Sequence, residues 1–229
     1  MSLVKSFSLI KFTRSIIISE ELERVLAAFT AGLLLITISE LGDKTFFIAV
    51  ILAMRHSRRW VFAGAIAALA LMTVLSVIVG QAISLLPKTY IHYAEILLFI
   101  GFGVKLLYEA SQMSATAAEA EEQEAAAVVE KAELKLPKHQ TPLAIVSEAF
   151  VLTFMAEWGD RTQIATIALA AAYNPLGVTI GAVLGHAICA AIAVVGGRLI
   201  AGHISERTIT ALGGLLFLLF GAMAWFEGP

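Results

Sequence analysis

Glu40-Leu41-Gly42-Asp43-Lys44-Thr45 recurs 117 positions later as Glu157-Trp158-Gly159-Asp160-Arg161-Thr162. The chain has only two aspartates, Asp43 and Asp160, and each holds the same place in its copy. Both copies sit within long apolar runs, where a charge is costly and is usually kept for function. The pair therefore points to a membrane protein with a polar site assembled from two distant segments.

Composition agrees with that class. Of 229 residues 59% are hydrophobic and 15% charged, and the mean hydropathy is +0.86, far from the usage of a soluble domain. The net charge of -2 and the scatter of basic residues between apolar runs leave no nucleic-acid partner to propose. The single cysteine, Cys189, excludes an intrachain disulfide framework and reads as a small buried residue.

Working outward from the first copy, residues 27–54 read as a span closed by Arg55, His56, Arg58 and Arg59. Residues 1–26 carry Lys5, Lys11, Arg14 and Arg24 around Ile16-Ile17-Ile18. That patch is too short to cross a bilayer, which needs ~20 apolar residues, so the leader is expected to be an amphipathic helix near the membrane surface. Spans at 60–86 and 90–109 follow, the first with Gly64 and Gly80 as points of close helix approach, the second containing Gly101 and Gly103 and with Lys105 one turn from Glu109. Residues 110–141 form an acidic Ala/Glu-rich linker, expected to be solvated, partly helical and without an apolar face to bury. Three further spans lie at 142–172, 176–200 and 207–226, the first two separated by Asn174-Pro175.

The 117-residue offset aligns more than the motif, for it places Gly64 on Gly181 and Gly80 on Gly197. With one residue inserted, Phe99 meets Phe217, Gly103 meets Gly221 and Glu109 meets Glu227. The predicted fold is an all-α membrane protein of six transmembrane helices arranged as two three-helix repeats, 27–109 and 142–229. Because three is odd, the second repeat enters from the opposite side, and the repeats are inverted. Such repeats are a recurrent plan of secondary transporters, with the site at the midplane and alternating access around it. Each motif falls near the middle of its span, at mid-bilayer. The lysines and arginines favour a cytoplasmic linker with both termini on the far side.

On a helix, Glu40 and Asp43 share a face, as do Glu157 and Asp160. Two inverted helices crossing at mid-depth would aim four carboxylates at one another, and these require protons, basic residues or a cation to neutralise them. Lys44 and Arg161 supply two charges, leaving a deficit that one divalent cation or two protons would cancel. The candidate ligands are all oxygens: the four carboxylates, with Thr45, Thr162 and Gln163 as support. Oxygen sites suit calcium, magnesium and manganese. Gly42 and Gly159 would let the helices cross closely or unwind. A purely structural network, Glu40 with Lys44 and Glu157 with Arg161, competes, though desolvation makes such pairs poor stabilisers. His186 reads as a packing histidine or a proton relay, Glu95 and Glu148 as interface residues, and Gln81 as a hydrogen-bonding partner of a neighbouring helix.

The paired Glu-x-Gly-Asp-Lys/Arg-Thr motifs, one in each half of a six-span chain with an acidic central loop, resemble the calcium/manganese-proton antiporters, which include Golgi transporters and thylakoid manganese exporters. The resemblance covers residues 27–227, and Ser39-Glu40-Leu41-Gly42-Asp43-Lys44-Thr45-Phe46-Phe47 is most similar to the cyanobacterial and plastid branch. It implies export of manganese or calcium from the cytoplasm to a lumen or periplasm in exchange for protons. It further implies no prosthetic group, an integral location in a thylakoid or plasma membrane, and a metal site on Glu40, Asp43, Glu157 and Asp160. A small-solute exporter of the same three-plus-three plan remains an alternative. So does an intramembrane aspartyl protease, although that class needs Gly-x-Gly-Asp, whereas here Leu41 and Trp158 precede the glycines and each aspartate comes with a glutamate.

Overall fold

A backbone surrounded by lipid must satisfy its own polar groups, which helices do within one segment. In the computed structural model, which describes residues 2–113, 117–133, 141–200 and 205–228, every regular element is an α-helix. The order is α1 (Ser2–Glu40), α2 (Lys44–Arg55), α3 (Arg58–Ile83), α4 (Lys88–Gln112), α5 (Ala117–Glu133), α6 (Pro142–Ala156), α7 (Arg161–Ala172), α8 (Pro175–Ile200) and α9 (Glu206–Glu227). Among the described residues, five stretches are long and apolar enough to cross a membrane: Ser19–Glu40, Arg58–Ile83, Lys88–Gln112, Pro175–Gly196 and Arg207–Phe226. Pro142–Ala156 and Arg161–Ala172, bent by 77° at their junction, make a sixth if taken together.

Local sequence explains several boundaries. Pro87 precedes α4, and Asn174 starts α8 by accepting from the backbone N–H groups of Leu176 and Gly177 at 3.0 and 3.1 Å. Gln81 donates to the Ala170 carbonyl at 2.6 Å, and Lys105 lies 3.6 Å from Glu109, as the sequence leads one to expect.

Helix packing crosses between the two halves of the chain. α1 lies on α8, α3 on α6 and α7, and α4 on α9, while α3 and α8 meet each other. The contacts exchange under the same offset as the motif. A Cβ on Gly64 would meet the Val146 carbonyl and, at 3.0 Å, the Phe150 amide. On Gly181, which is Gly64 plus 117, a Cβ would meet Phe29 and, at 3.0 Å, the Leu33 amide, and these are Val146 and Phe150 minus 117. The fully buried Phe99 and Phe217, matched at an offset of 118, pack edge to face with ring centres 5.9 Å apart. Residues that meet their own copies lie close to a local pseudo-twofold relation.

Four expectations change. The leader is not a separate element, because α1 runs unbroken from Ser2 and its membrane-length part starts at Ser19; the side chains of residues 1–18 lie outside the described residues. The first motif consequently lies at the end of a membrane-length stretch and not at the centre of one helix. The linker does bury a face: Ala125 and Val129, four apart on α5, are 0% exposed and pack in one cluster with Phe46–Leu52 of α2. Alanines small enough to let α5 approach closely give an acidic helix a narrow apolar stripe. Lastly, Glu95 and Glu148 are buried in protein, and Glu148 Oε2 lies 3.8 Å from His56 Nε2.

The close approaches carry a prediction. Gly181→Val would press a branched side chain into the α1 backbone and should cost about 1–3 kcal/mol, read as a lower Tm in detergent. Gly101→Ala, which would meet nothing within 4 Å, should leave Tm within the error of the measurement.

Candidate functional site

Each motif stops one helix and starts the next. α1 ends at Glu40 and α6 at Ala156 with Glu157 as its cap, and two residues on the chain turns through a glycine with positive φ, 80° at Gly42 and 84° at Gly159. A side chain would be strained there. Asp43 and Asp160 follow in extended conformation as the residues capping α2 and α7, their amides 3.3 Å from the Glu40 and Glu157 carbonyls. The glutamate and aspartate of each copy therefore come from opposite sides of a helix break, not from one helical face. The break has electrostatic consequences: the C-terminal ends of α1 and α6 present partial negative charge beside the glutamates, which favours a cation.

The breaks bring the two copies together. Glu40 and Glu157 are each 2% exposed, and with the half-buried Asp160 they offer three oxygen atoms that all lie within 4.8 Å of one another. Thr45 donates to Glu40 Oε2 at 3.2 Å, and Thr162 donates to the equivalent Glu157 oxygen at 3.5 Å. The other oxygen of each glutamate, Oε1, is buried without a hydrogen-bond partner among the described residues. A buried, unpartnered carboxylate oxygen is costly and calls for a proton or a cation.

The two aspartates differ. Asp160 caps α7 fully, accepting from the Gln163 amide at 2.7 Å, the Thr162 amide at 3.1 Å and the Thr162 hydroxyl at 2.7 Å. Asp43 makes no side-chain cap and lies 3.8 Å from the Arg161 guanidinium, outside the three-oxygen group. Lys44 points away from the carboxylates to Glu124 of α5, at 3.0 Å. Arg161 thus bridges to the other half's aspartate, and neither basic residue pairs with the glutamate four positions before it. Gln163 is committed elsewhere, accepting from Gly159 N–H in its own turn at 2.7 Å and donating to Met72 Sδ of α3 at 2.9 Å.

Two small cavities flank the group, one against Glu40 and Thr45, the other against Glu157 and Thr162. His186, 5% exposed, borders both. Sequence reasoning placed it mid-span but gave it no link to the motifs; pairing of helices α3 and α8 creates that link.

Comparison with known proteins decides the family. The model for GDT1, the divalent cation/proton antiporter, matches residues 28–114 and 145–229. The chain belongs to the GDT1 family. Among curated GDT1 relatives, the GDT1-like protein sll0615 of Synechocystis sp. is 58% identical over 202 residues, covering 88% of this chain and 98% of its own. GDT1-like protein 4 of Oryza sativa subsp. indica is 44% identical over 216 residues, covering 88% and 74%. Protein PAM71-homolog, chloroplastic, of Arabidopsis thaliana is 40% identical over 236 residues, covering 96% and 65%. No solved structure matches. GDT1 proteins exchange a divalent cation for protons and are transporters, which sets the protease alternative aside.

The helix break is testable by itself. A Cβ at Gly159 would touch nothing within 4 Å, so Gly159→Ala carries only the positive-φ penalty, about 1–2 kcal/mol. It should destabilise the detergent-solubilised protein by that amount, read as a lower Tm, and weaken protection by added divalent ion.

Proposed function

We propose that this antiporter exports manganese, and also accepts calcium, from the cytoplasm to a lumen or periplasm in exchange for protons. The membrane is the thylakoid or plasma membrane of a cyanobacterium-like cell, with the linker on the cytoplasmic side. The observation that carries this reading is the group of buried Glu40, buried Glu157 and half-buried Asp160, whose oxygens converge on one point. Oxygen atoms on opposite sides of a bound calcium stand up to about 5.2 Å apart, and three oxygens all within 4.8 Å of one another can therefore reach one ion between them. Manganese accepts the same carboxylate ligands.

The charge count gives the exchange. With Asp43 held by Arg161 and Lys44 by Glu124, three carboxylates remain. Three protons neutralise them, or one divalent ion and one proton, so loading the metal displaces two protons. Alternating access follows from treating the halves as inverted repeats. Asp160 lies in the group and Asp43 beside Arg161; in the oppositely facing state the two copies exchange roles, and all four carboxylates serve the cycle. The pseudo-twofold contacts and the unequal aspartates support this reading.

Proteoliposomes holding a pH dye test it. Manganese or calcium added outside should drive efflux of about two protons per ion, by the same neutralisation count. Glu40→Gln, Glu157→Gln, Asp43→Asn and Asp160→Asn should each reduce exchange to the rate of empty vesicles while the protein stays folded. Metal uptake without proton counterflow would refute the mechanism, and unchanged exchange in Asp43→Asn would refute the swapping of aspartates.

A further inference from the structure

The two cavities beside the carboxylates are images of each other under the 117-residue offset. Glu40, Thr45 and Ala49 line one; Glu157, Thr162 and Thr166, their counterparts, line the other. Only one offset-related pair borders both cavities: Leu69 on α3 and His186 on α8. This pair sits between the copies, and there an apolar residue in one half is matched by an imidazole in the other.

The other soft or neutral donors around the cavities are occupied. Met72 Sδ accepts the Gln163 amide at 2.9 Å, and Cys189 donates to the Thr37 carbonyl at 3.3 Å. The hydroxyls of Thr73, Ser76 and Thr166 donate back to their own helices at 2.8–2.9 Å. His186 Nδ1, by contrast, is buried with no hydrogen-bond partner among the described residues. Apart from the unpartnered Oε1 atoms of Glu40 and Glu157, it is the open polar atom of these walls, and an imidazole nitrogen placed with two such carboxylate oxygens suits a cation that accepts nitrogen.

We propose that His186 lends its imidazole nitrogen to the transported ion as it passes between the two cavities, and thereby makes the antiporter prefer a first-row transition ion such as Mn2+ over Ca2+ and Mg2+. Carboxylate oxygens alone discriminate poorly among these ions, whereas an imidazole nitrogen is a poor ligand for the hard alkaline-earth ions and adds affinity along the first-row series, least for Mn2+ and more for the later ions. The inference rests on the cargo being a divalent ion held by Glu40, Glu157 and Asp160.

The test compares wild type, His186→Gln and His186→Leu, the last restoring the residue found at the equivalent position of the other half. Proteoliposome uptake of Mn2+ in competition with Ca2+ should show the preference for Mn2+ falling roughly ten- to hundredfold in both variants, with proton-coupled Ca2+ exchange retained. In parallel, pulsed EPR of Mn2+ bound to protein labelled with 15N-histidine should show a 15N coupling in the wild type that His186→Gln abolishes. An unchanged preference, an equal loss for both ions in folded variants, or no histidine coupling in the wild type would overturn the role of His186. The wild-type spectrum decides even if neither variant folds. A wild type that exchanges neither ion for protons would instead sink the proposed function itself.

Discussion

The structure turns on holding the buried Glu40 and Glu157 together with the half-buried Asp160, with no basic side chain paired to them among the described residues. Such an arrangement repels itself, and only the surrounding packing and a mobile positive charge can sustain it. The packing is supplied by helices that approach at glycines, α1 on α8 and α3 on α6. The charge is left for the cargo. A structural ion pair would have filled the deficit permanently; here Arg161 faces Asp43 and Lys44 faces Glu124 of α5.

The helix breaks turn this constraint into a site. A continuous helix would expose only side chains to the ion, whereas a break adds the negative end of one helix and the positive end of the next. Glycine at positive φ makes the turn, aspartate caps the outgoing helix, and glutamate closes the incoming one. One six-residue sequence therefore encodes both the proposed ligands and the backbone geometry that presents them. The two copies are chemically alike but not in the same state: Asp160 is fully engaged as a cap while Asp43 is not. Unequal states of equal sequences are what a rocking pair of repeats requires.

Much of this was legible from the residues alone. The helical spans followed from apolar length, and Gly64 and Gly181 from their alignment, because both signals are local. The interruption at 41–43 and 158–160 was only half legible: Gly42 and Gly159 suggested unwinding, yet the apolar flanks read as uninterrupted helices, since hydropathy does not register backbone dihedrals. The docking of α5 was hidden because Ala125 and Val129 make too thin a stripe to stand out among glutamates. The partners of Lys44 and Arg161 were also out of reach. Spacing favoured pairs four residues apart, and the tertiary fold offered Glu124 and Asp43 instead. His186 gained its meaning only when α3 and α8 met and set it opposite Leu69 between the copies.

The central claim is that protons and a divalent ion compete for the same buried carboxylates. Calorimetric titration of the purified protein with Mn2+, repeated in buffers of different ionisation enthalpy, counts the protons released as metal binds. The account predicts about two protons per ion at neutral pH, from a three-carboxylate site that keeps one. Metal binding whose heat is the same in every buffer would mean that no protons leave, and would contradict it.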